Sequence, residues 1–441
     1  MGQHTYLLVR VFYDARVASV EPLGLEYLAG VLKEEGKNYH FHDECLYSRF
    51  FRFRRIVKKI KKYGISHVCF TVMSDKAEYV LKMIKRLKRT LPELKIIVGG
   101  PEVTINYRDF FLDDIDFVYY DHGLNSFQHA VANDFHINAL EAASGLAYQK
   151  NGQWVENPRG EPISEYSVKP DRSLYYDNRE KYRIIAKGSF STMKTNFSCQ
   201  EECNFCISRQ FNGGVYAERD TDAVVEEIIG IKNERIWLVD DDFLANSARV
   251  IDICNKLMER NCFKTYMIFA RADSIVKCAD IVPLLYKAGF RDMLVGLEAV
   301  EDEFLDQYNK NSSVSINETA IKILRDNNML CNGLFVVNDS FSHRNFAEIH
   351  RFIRRQGLVW VLFSILIPFK GTEVYEKNLH RLYKYRYKRT DGTKILLKPS
   401  KMSNLSYYLQ FHLLYYINYP RLYLAALTGR YKKYINRGME Q

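Results

Sequence analysis

Three cysteines stand within eight residues, in the segment SCQEECNFC. Cys199, Cys203 and Cys206 form a C-x3-C-x2-C array directly after a predicted strand, TMKTNF. Three thiolates this close can converge on one [4Fe-4S] cluster and leave its fourth iron open for another ligand. Zinc is the main alternative, although a structural zinc site needs four ligands and no Cys or His follows within the next few residues. The spacing therefore predicts an iron–sulfur cluster with one open iron.

The other six cysteines are dispersed, often within apolar runs, and the total of nine is odd. This usage is typical of reduced, cytosolic proteins and does not indicate a disulfide scaffold. We therefore predict a cytoplasmic location.

The length and composition indicate a globular protein of two or three domains. The chain has 441 residues, with 47% hydrophobic and 26% charged residues, and a common domain has ~150 residues. No stretch reaches the ~18 uncharged apolar residues that a membrane span needs. The N-terminal segment MGQHTYLLVRVFYDAR carries charge within its short apolar run, which argues against a signal peptide.

The net charge of +10 resides in the last segment of the chain. Residues 381–441 hold 13 Lys or Arg, 2 Asp or Glu, and 11 of the 31 tyrosines. We predict that this region is helical and either covers the preceding domain or contacts an anionic membrane surface peripherally. Nucleic acid is not an expected partner, because helix-turn-helix and RNP-like patterns are missing.

Residues 1–138 alternate apolar strands with amphipathic helices, which predicts a parallel, flavodoxin-like or Rossmann-like sheet. A ligand would bind in the crevice beyond the carboxyl ends of its strands. The predicted strands are 5–11, 38–44, 65–73, 95–100 and 116–123, and the predicted helices include 22–36, 50–62 and 76–90.

The alternation stops over residues 139–192, which contain three prolines and a hairpin signal and are predicted as a linker. Residues 193–380 then contain six strand–helix units, too few for a closed eight-fold barrel. We predict a partial (βα)6 barrel with its active site at the carboxyl ends of the strands. The predicted strands are 193–198, 235–240, 265–270, 291–297, 332–337 and 359–367, and the helices are 221–232, 246–260, 278–288, 315–327 and 343–356.

The cysteine array after a first barrel strand resembles the radical S-adenosylmethionine (SAM) enzymes, and Phe205 before the last cysteine is typical of their loop. Further segments resemble the subgroup that carries a cobalamin (B12)-binding domain. They include PLGLEYLAGVLKEEG, IIVGGPEVT, IWLVDDDFLAN, ARAD and VGLEAVEDEFLDQYNK. The resemblance implies a [4Fe-4S] cluster, SAM and cobalamin as cofactors.

The resemblance also implies roles for individual residues of the barrel. The three cysteines would ligate the cluster, and Phe205 would lie beside them. Asp240, Asp241 and Asp242 follow the second strand, where a carboxylate would accept hydrogen bonds from the SAM ammonium group. Arg271 and Glu298, after the third and fourth strands, would contact the SAM ribose or carboxylate. For the Asp triplet the alternative is a solvated strand end or a helix cap, and for Arg271 and Glu298 it is half of a structural ion pair.

In the first domain, the resemblance implies that loops beyond the strands hold cobalamin. Gly99 and Gly100 would let the backbone approach the corrin or its nucleotide tail, or they simply form a tight turn. Thr71, Ser74 and Thr104 would hydrogen-bond the ligand. The D-x-H-x-x-G motif, which supplies a cobalt ligand in other cobalamin proteins, is missing. The segment DHG (121–123) also lacks the Glu that is common in the subgroup.

The implied reaction begins with reductive cleavage of SAM to a 5′-deoxyadenosyl radical and continues with methyl transfer from cobalamin to an unactivated carbon. Cyclisation, rearrangement or oxidation, with or without bound cobalamin, is the alternative. A remote alternative is a zinc-containing nucleic-acid-binding module. The implied partners are a small-molecule, lipid or peptide substrate and an electron donor such as flavodoxin or ferredoxin.

Overall fold

The computed structural model describes residues 4–11, 19–47, 51–184, 187–383 and 392–427, of which 421–427 are described without their side chains. These residues form two compact units. One comprises residues 1–189 with 210–213, and the other comprises residues 190–209 with 214–441.

The first unit is built on a seven-stranded sheet. Its strands are β1 (Thr5–Arg10), β2 (Asn38–Asp43), β3 (His67–Thr71), β4 (Lys95–Gly99), β5 (Phe117–Tyr119), β6 (Leu146–Lys150) and β7 (Gln153–Glu156). The order is β2-β1-β3-β4-β5-β6-β7. Strands β1 to β5 are parallel, whereas β6 and β7 are antiparallel additions. All five strands predicted for residues 1–138 are therefore present.

Helices cover both faces of this sheet, which explains why its central strands are apolar along their length. The helices are α1 (Leu23–Glu34), α2 (Arg52–Tyr63), α3 (Ala77–Thr90), α4 (Pro101–Asn106), α5 (Leu124–Ala132), α6 (Ile137–Leu140) and α7 (Ser173–Asn178). One face packs against α2, α3 and α4 through residues such as Ile56 and Ile84. The other packs against α1 and α5 through residues such as Leu25 and Phe127.

The structure corrects the prediction that residues 139–192 are a linker, because most of them pack into the first unit. Strand β6 pairs with β5, so the predicted hairpin extends the sheet. Gly30 of α1 lies against the backbone of Lys169, where a Cβ atom would come within 2.1 Å of the carbonyl oxygen. Arg172 and Glu21, both buried, form an ion pair at 2.8 Å. These contacts join segments far apart in the sequence, which a local hydrophobic period does not reveal.

The second unit contains a six-stranded parallel sheet, as predicted for a partial barrel. Its strands are β8 (Ser191–Met193), β11 (Arg235–Leu238), β12 (Thr265–Arg271), β13 (Phe290–Glu298), β14 (Leu330–Val337) and β15 (Val361–Ile365), in that order. A separate antiparallel pair joins β9 (Asn196–Phe197) to β10 (Ala217–Glu218). The predicted strand 193–198 is thus divided into β8 and β9 around Lys194 and Thr195.

Helices follow the strands of the second unit. They are α8 (Thr221–Gly230), α9 (Ser247–Glu259), α10 (Ala272–Lys277), α11 (Val282–Lys287), α12 (Asp302–Gln307), α13 (Val314–Asp326), α14 (His343–Gln356) and α15 (Glu373–Asn378). The predicted helix 278–288 begins later, at Val282, because Pro283 occupies its first turn.

A long helix, Asn404–Leu427, follows and is called the C-terminal helix below. It packs against α14 and β15 and buries Tyr407, Phe411 and Leu414. The helical prediction for 381–441 holds for this part, but residues 392–403 form no helix. Residues 384–391 and 428–441 lie outside the described residues. Among the helices that the structure describes, none is long and apolar enough to cross a membrane.

Candidate active site

The three clustered cysteines lie on a loop, residues 199–206, that follows β9 and is called the cysteine loop below. Main-chain hydrogen bonds fasten its middle. The Asn204 N–H donates to the Tyr308 carbonyl at 3.1 Å, and the Val374 N–H donates to the Asn204 carbonyl at 3.3 Å. The Phe205 ring packs edge-on against Tyr308, with 5.2 Å between ring centroids. The loop is therefore held by the segments after β13 and β15.

Cys199, Cys203 and Cys206 are all partly exposed, as ligands of an accessible cofactor must be. Burial raises the pKa of the Cys199 thiol to about 11, and it also raises the pKa of Cys206. No group of three or more His, Cys, Asp or Glu in the described residues is close enough to hold a single metal ion. Ligation of an iron–sulfur cluster by these three thiols stays a prediction.

Arg271, at the end of β12, reaches the cysteine loop directly. Its Nη1 donates to the Cys203 Sγ at 3.4 Å, its Nε donates to Asp273 at 2.9 Å, and its Nη2 donates to the Lys310 carbonyl at 2.6 Å. Only 6% of the residue is exposed. A carboxylate, a carbonyl and the Cys203 sulfur fix the guanidinium, so a permanent positive charge lies beside one of the three thiols.

The predicted Asp triplet divides into three different environments. Asp240 is fully buried, and its carboxylate accepts the main-chain N–H groups of Thr195 at 2.6 Å and Asn196 at 3.0 Å. The Thr195 hydroxyl also donates to it. Burial raises the pKa of Asp240, although these bonds oppose the shift. Its oxygen atoms bond the turn between β8 and β9, and its contact with the SAM ammonium group stays a prediction.

Asp241 and Asp242 bond to other side chains of the second unit. Asp241 accepts a hydrogen bond from the Ser208 hydroxyl at 2.6 Å and is 3.3 Å from the Lys194 ammonium group. Asp242 accepts the Ser274 hydroxyl at 2.6 Å, and burial raises its pKa. Contact with the SAM ammonium group stays a prediction for these two residues.

Glu298 adopts a left-handed backbone conformation (φ 58°) at the end of β13. Its carboxylate pairs with the buried Lys310 ammonium group at 2.9 Å. Burial alone would lower the pKa of Lys310, but Glu298 and other charges raise it overall. Gly296 makes room for the pair, because a Cβ atom there would lie 2.6 Å from the Glu298 Oε1 and 3.0 Å from the Lys310 Nζ. The strained conformation and the glycine together hold Glu298 at this rim.

A cavity of about 220 Å³ opens beside the start of the cysteine loop. Cys199 and Asp242 line it, together with side chains that the sequence did not single out, notably Tyr216, Ser274 and Lys277. Ser274 and Lys277 follow the ARAD segment at helical spacing, which was the available signal. Contacts thus link Cys203, Arg271, Lys310 and Glu298 in a chain. Asp242, which accepts a hydrogen bond from Ser274, lines the same cavity as Cys199.

At the carboxyl edge of the first sheet, some of the residues predicted to bind cobalamin contact one another. Gly100 has a φ of 101°, and a Cβ atom there would be 2.8 Å from the Thr71 Oγ1 and 2.9 Å from the Val72 nitrogen. Thr104 donates its hydroxyl to the Gly100 carbonyl at 3.2 Å. Ser74 opens a short 3-10 turn, Ser74–Lys76. Gly100 is thus required by the local packing itself, while contact of these residues with cobalamin stays a prediction, as it does for Gly99.

A second cavity, of about 310 Å³, lies after β5 at the same edge. It is lined by the loop Asp121–Ser126 and by residues 160–167 of the segment that was predicted as a linker. Asp121 joins the two by accepting the Gly160 N–H at 2.7 Å. The cavity lies beyond the carboxyl ends of the strands, where the fold places a ligand, and its occupation by cobalamin stays a prediction. Sequence reasoning missed residues 160–167 because they carry no recognisable motif.

Comparison with known protein families gives two matches. The B12 binding domain family matches residues 10–131, and the radical SAM superfamily matches residues 193–353. The first match covers strands β2 to β5 of the first unit and the last residue of β1, and the second covers the cysteine loop and strands β11 to β14.

Curated relatives and solved structures agree with this arrangement. The hopanoid C-3 methylase of Methylococcus capsulatus is 22% identical over 394 residues, covering 86% of this chain and 73% of the methylase. An anaerobic magnesium-protoporphyrin IX monomethyl ester cyclase of Synechocystis is 26% identical over 303 residues, covering 67% of this chain and 60% of the cyclase. The cobalamin-dependent radical enzyme OxsB has a similar fold (TM-score 0.68, 16% identity, 99% of this chain and 63% of OxsB). So does the methyltransferase TsrM of Kitasatospora setae (TM-score 0.62, 16% identity, 85% and 74%).

Proposed function

Because the chain belongs to the radical SAM enzymes that carry a B12-binding domain, we propose that it is a cobalamin-dependent C-methyltransferase. The family implies a [4Fe-4S] cluster, SAM and cobalamin. The observation that carries the proposal is the cysteine loop, whose Cys203 is bonded to a fixed arginine beside a polar cavity. The presence of a hopanoid methylase among the relatives supports methyl transfer over other radical reactions.

When bound, the cofactors supply reductive cleavage of SAM to a 5′-deoxyadenosyl radical and a methyl group for the resulting substrate radical. The protein's part is to position these groups and to shield them from water. Arg271 holds Cys203 in place, and Asp242 and Ser274 present oxygen atoms at the cavity wall. Glu298 and Lys310 form a buried ion pair, and we propose that Glu298 contacts the SAM ribose or carboxylate.

A second candidate function keeps both cofactors but transfers no methyl group. One specific observation favours it, since the cyclase among the relatives carries a name that describes ring closure. The two functions share their first steps and differ in the product. Methyl transfer increases the substrate mass by one CH2 group per event, whereas cyclisation does not.

The test uses protein expressed with cobalamin and purified without oxygen. We expect reductant-dependent formation of 5′-deoxyadenosine from SAM, and with a candidate substrate a product heavier by one CH2 group. The matched control is Cys199→Ala/Cys203→Ala/Cys206→Ala, which removes the predicted cluster ligands and should form no 5′-deoxyadenosine. A product of unchanged mass would instead establish the second function. Retained cleavage in the triple variant would exclude the assigned ligands.

The enzyme uses a substrate and an electron donor, as radical SAM enzymes do. We propose a flavodoxin or ferredoxin as the donor, and a lipid, a peptide or another small molecule as the substrate. The dispersed, unclustered cysteines outside the loop support a cytoplasmic location. We assign any peripheral membrane contact of region 381–441 to the exposed face of the C-terminal helix.

A further inference from the structure

The C-terminal helix has two dissimilar faces. On one face, Tyr407 and Phe411 are fully buried, and the Tyr407 hydroxyl donates to the Asn338 carbonyl at 2.9 Å. On the same face, the Tyr415 hydroxyl accepts the Phe363 N–H at 3.2 Å. The helix is therefore a fixed part of the second unit, and its orientation defines which side chains face outward.

The opposite face is apolar although it is exposed. Leu405 is 70% exposed and Tyr416 is 75% exposed, and between them on the same side lie Leu409 and Leu413, with Ile417 following. These positions are spaced by three, four or one residues, which places them on one stripe. Residues 402–420 contain no Asp, Glu, Lys or Arg. The solvent side of a helix in a globular protein normally carries charged residues, so this stripe indicates that something apolar covers it.

Positive charge lies beside the stripe on the neighbouring helix α14. The two helices touch through hydrogen bonds from Ser406 to His343 and from Asn418 to His350. Arg354 lies one turn beyond His350 on the same side of α14, and Arg344 is exposed near its start. No carboxylate of the described residues pairs with Arg344 or Arg354. Exposed lysines precede the C-terminal helix, and the sequence that follows residue 420 has five Lys or Arg and one Glu.

An apolar stripe flanked by unpaired positive charge matches the boundary of an anionic bilayer. Leucine side chains can enter the acyl region while arginine and lysine bind phosphate groups, and tyrosine is enriched at the headgroup level. The helix is not apolar enough to cross a membrane, and a helix packed along one side can lie in the plane of the interface. A second protein chain would cover leucines equally well, but it gives no reason for the unpaired arginines.

We propose that the C-terminal helix and α14 form a membrane-docking surface for anionic phospholipid, with the leucine stripe inserted and the arginines bound to phosphate. The inference does not depend on methyl transfer. It gives the protein a way to reach a substrate that resides in a bilayer.

The test is co-sedimentation of the full-length protein with vesicles of phosphatidylcholine alone or with phosphatidylglycerol added. We expect binding to the anionic vesicles that weakens with salt. Leu405→Ser/Leu409→Ser should lower the partition coefficient by roughly tenfold or more, because two inserted side chains are lost. The matched control, Ile229→Ser/Phe263→Ser, removes two exposed apolar side chains elsewhere in the same unit and should bind like wild type.

A pair of charge-reversal variants distinguishes phosphate binding from purely apolar binding. Arg344→Glu/Arg354→Glu should weaken binding to anionic vesicles and flatten its salt dependence. Lys322→Glu/Arg325→Glu on α13 makes the same change in net charge elsewhere and should have little effect. Thermal unfolding confirms that each variant is folded.

Three results would overturn the proposal. The first is that the wild-type protein does not co-sediment with anionic vesicles. The second is that the leucine variant binds the vesicles as well as wild type does. The third is that wild type is a dimer in sedimentation equilibrium and the leucine variant is a monomer. The last result would identify the stripe as an interface between two copies of the chain. None of these results bears on SAM cleavage, so the proposed enzymatic function is tested independently by 5′-deoxyadenosine formation and product mass.

Discussion

At the carboxyl edge of the second sheet, side chains from different strands bond to one another. At the same edge of the first sheet, the backbone itself shapes the surface beyond the strand ends. Arg271 joins β12 to the cysteine loop and to Lys310, which in turn pairs with Glu298. In the first unit, Gly100 sits with its Cα against Thr71 and Val72, and its neighbours bond mainly to main-chain atoms. One edge is specified by residue chemistry and the other by the absence of a side chain.

The difference teaches where each kind of binding site is vulnerable. A site made of charged and thiol side chains loses function when a functional group is removed, with little change in fold. A site made by close backbone approach loses function when atoms are added. The following substitutions test this contrast, from the largest expected effect to the smallest.

Removing the three thiols by Cys199→Ala/Cys203→Ala/Cys206→Ala should abolish iron binding. We expect about four irons per chain in wild type and almost none in the variant, because thiolates hold the cluster. The corrinoid content should be unchanged if the first unit binds it independently. Iron, sulfide, zinc and corrinoid analysis of anaerobically purified protein provides the measurement. Zinc in place of iron would contradict the assignment.

Adding one methyl group by Gly100→Ala should destabilise the first unit by roughly 2–4 kcal/mol and lower its corrinoid content. The cost combines the positive φ with overpacking against Thr71 and Val72. Thermal unfolding and corrinoid absorbance measure the two effects. Gly24→Ala is the control, because its Cβ would meet nothing within 4 Å, and alanine favours a helix. Equal behaviour of the two variants would refute the packing argument.

Replacing the fixed guanidinium by Arg271→Gln should leave iron content close to wild type but lower the midpoint potential of the cluster. A hydrogen bond from a cation to a ligand sulfur favours the reduced cluster, and its loss is expected to cost on the order of 60 mV. Potentiometric titration followed by electron paramagnetic resonance provides the measurement. Arg271→Lys keeps the charge and should shift the potential less. An unchanged potential in Arg271→Gln would show that the contact with Cys203 has no electronic effect.

The smallest effect is expected for Gly99→Ala, although it stands next to Gly100. A Cβ atom at Gly99 would meet Tyr119 at an ordinary distance of 3.6 Å, and its φ is not positive. Stability should change by less than about 1 kcal/mol. A loss of corrinoid without a loss of stability would reveal direct contact between this backbone position and the ligand.

The sequence predicted those features that depend on residue type and on a regular period. The parallel strands of both units follow from their apolar runs, and Cys199, Cys203 and Cys206 are recognisable because three thiols rarely cluster by chance. The sequence also indicates Gly100, but a glycine that approaches a ligand and a glycine required by local packing give the same sequence signal.

Other parts could not be predicted because they depend on contacts between distant segments. Asp240 and Asp242 are identical residues two positions apart, yet one shapes a turn and the other lines a cavity. Their roles depend on Thr195 and Ser274, whose hydroxyls have no distinctive pattern. The packing of residues 139–189 onto the first unit depends on Gly30 and Glu21 of another segment, so a local reading indicated a linker.

The fastening of the cysteine loop has a further consequence for its tolerance of substitution. Asn204 is anchored through main-chain hydrogen bonds to Tyr308 and Val374, and Asp240 sets the turn that leads into the loop. None of these bonds passes through a cysteine side chain. Replacing the three cysteines should therefore remove the predicted ligands and leave the backbone path of the loop in place.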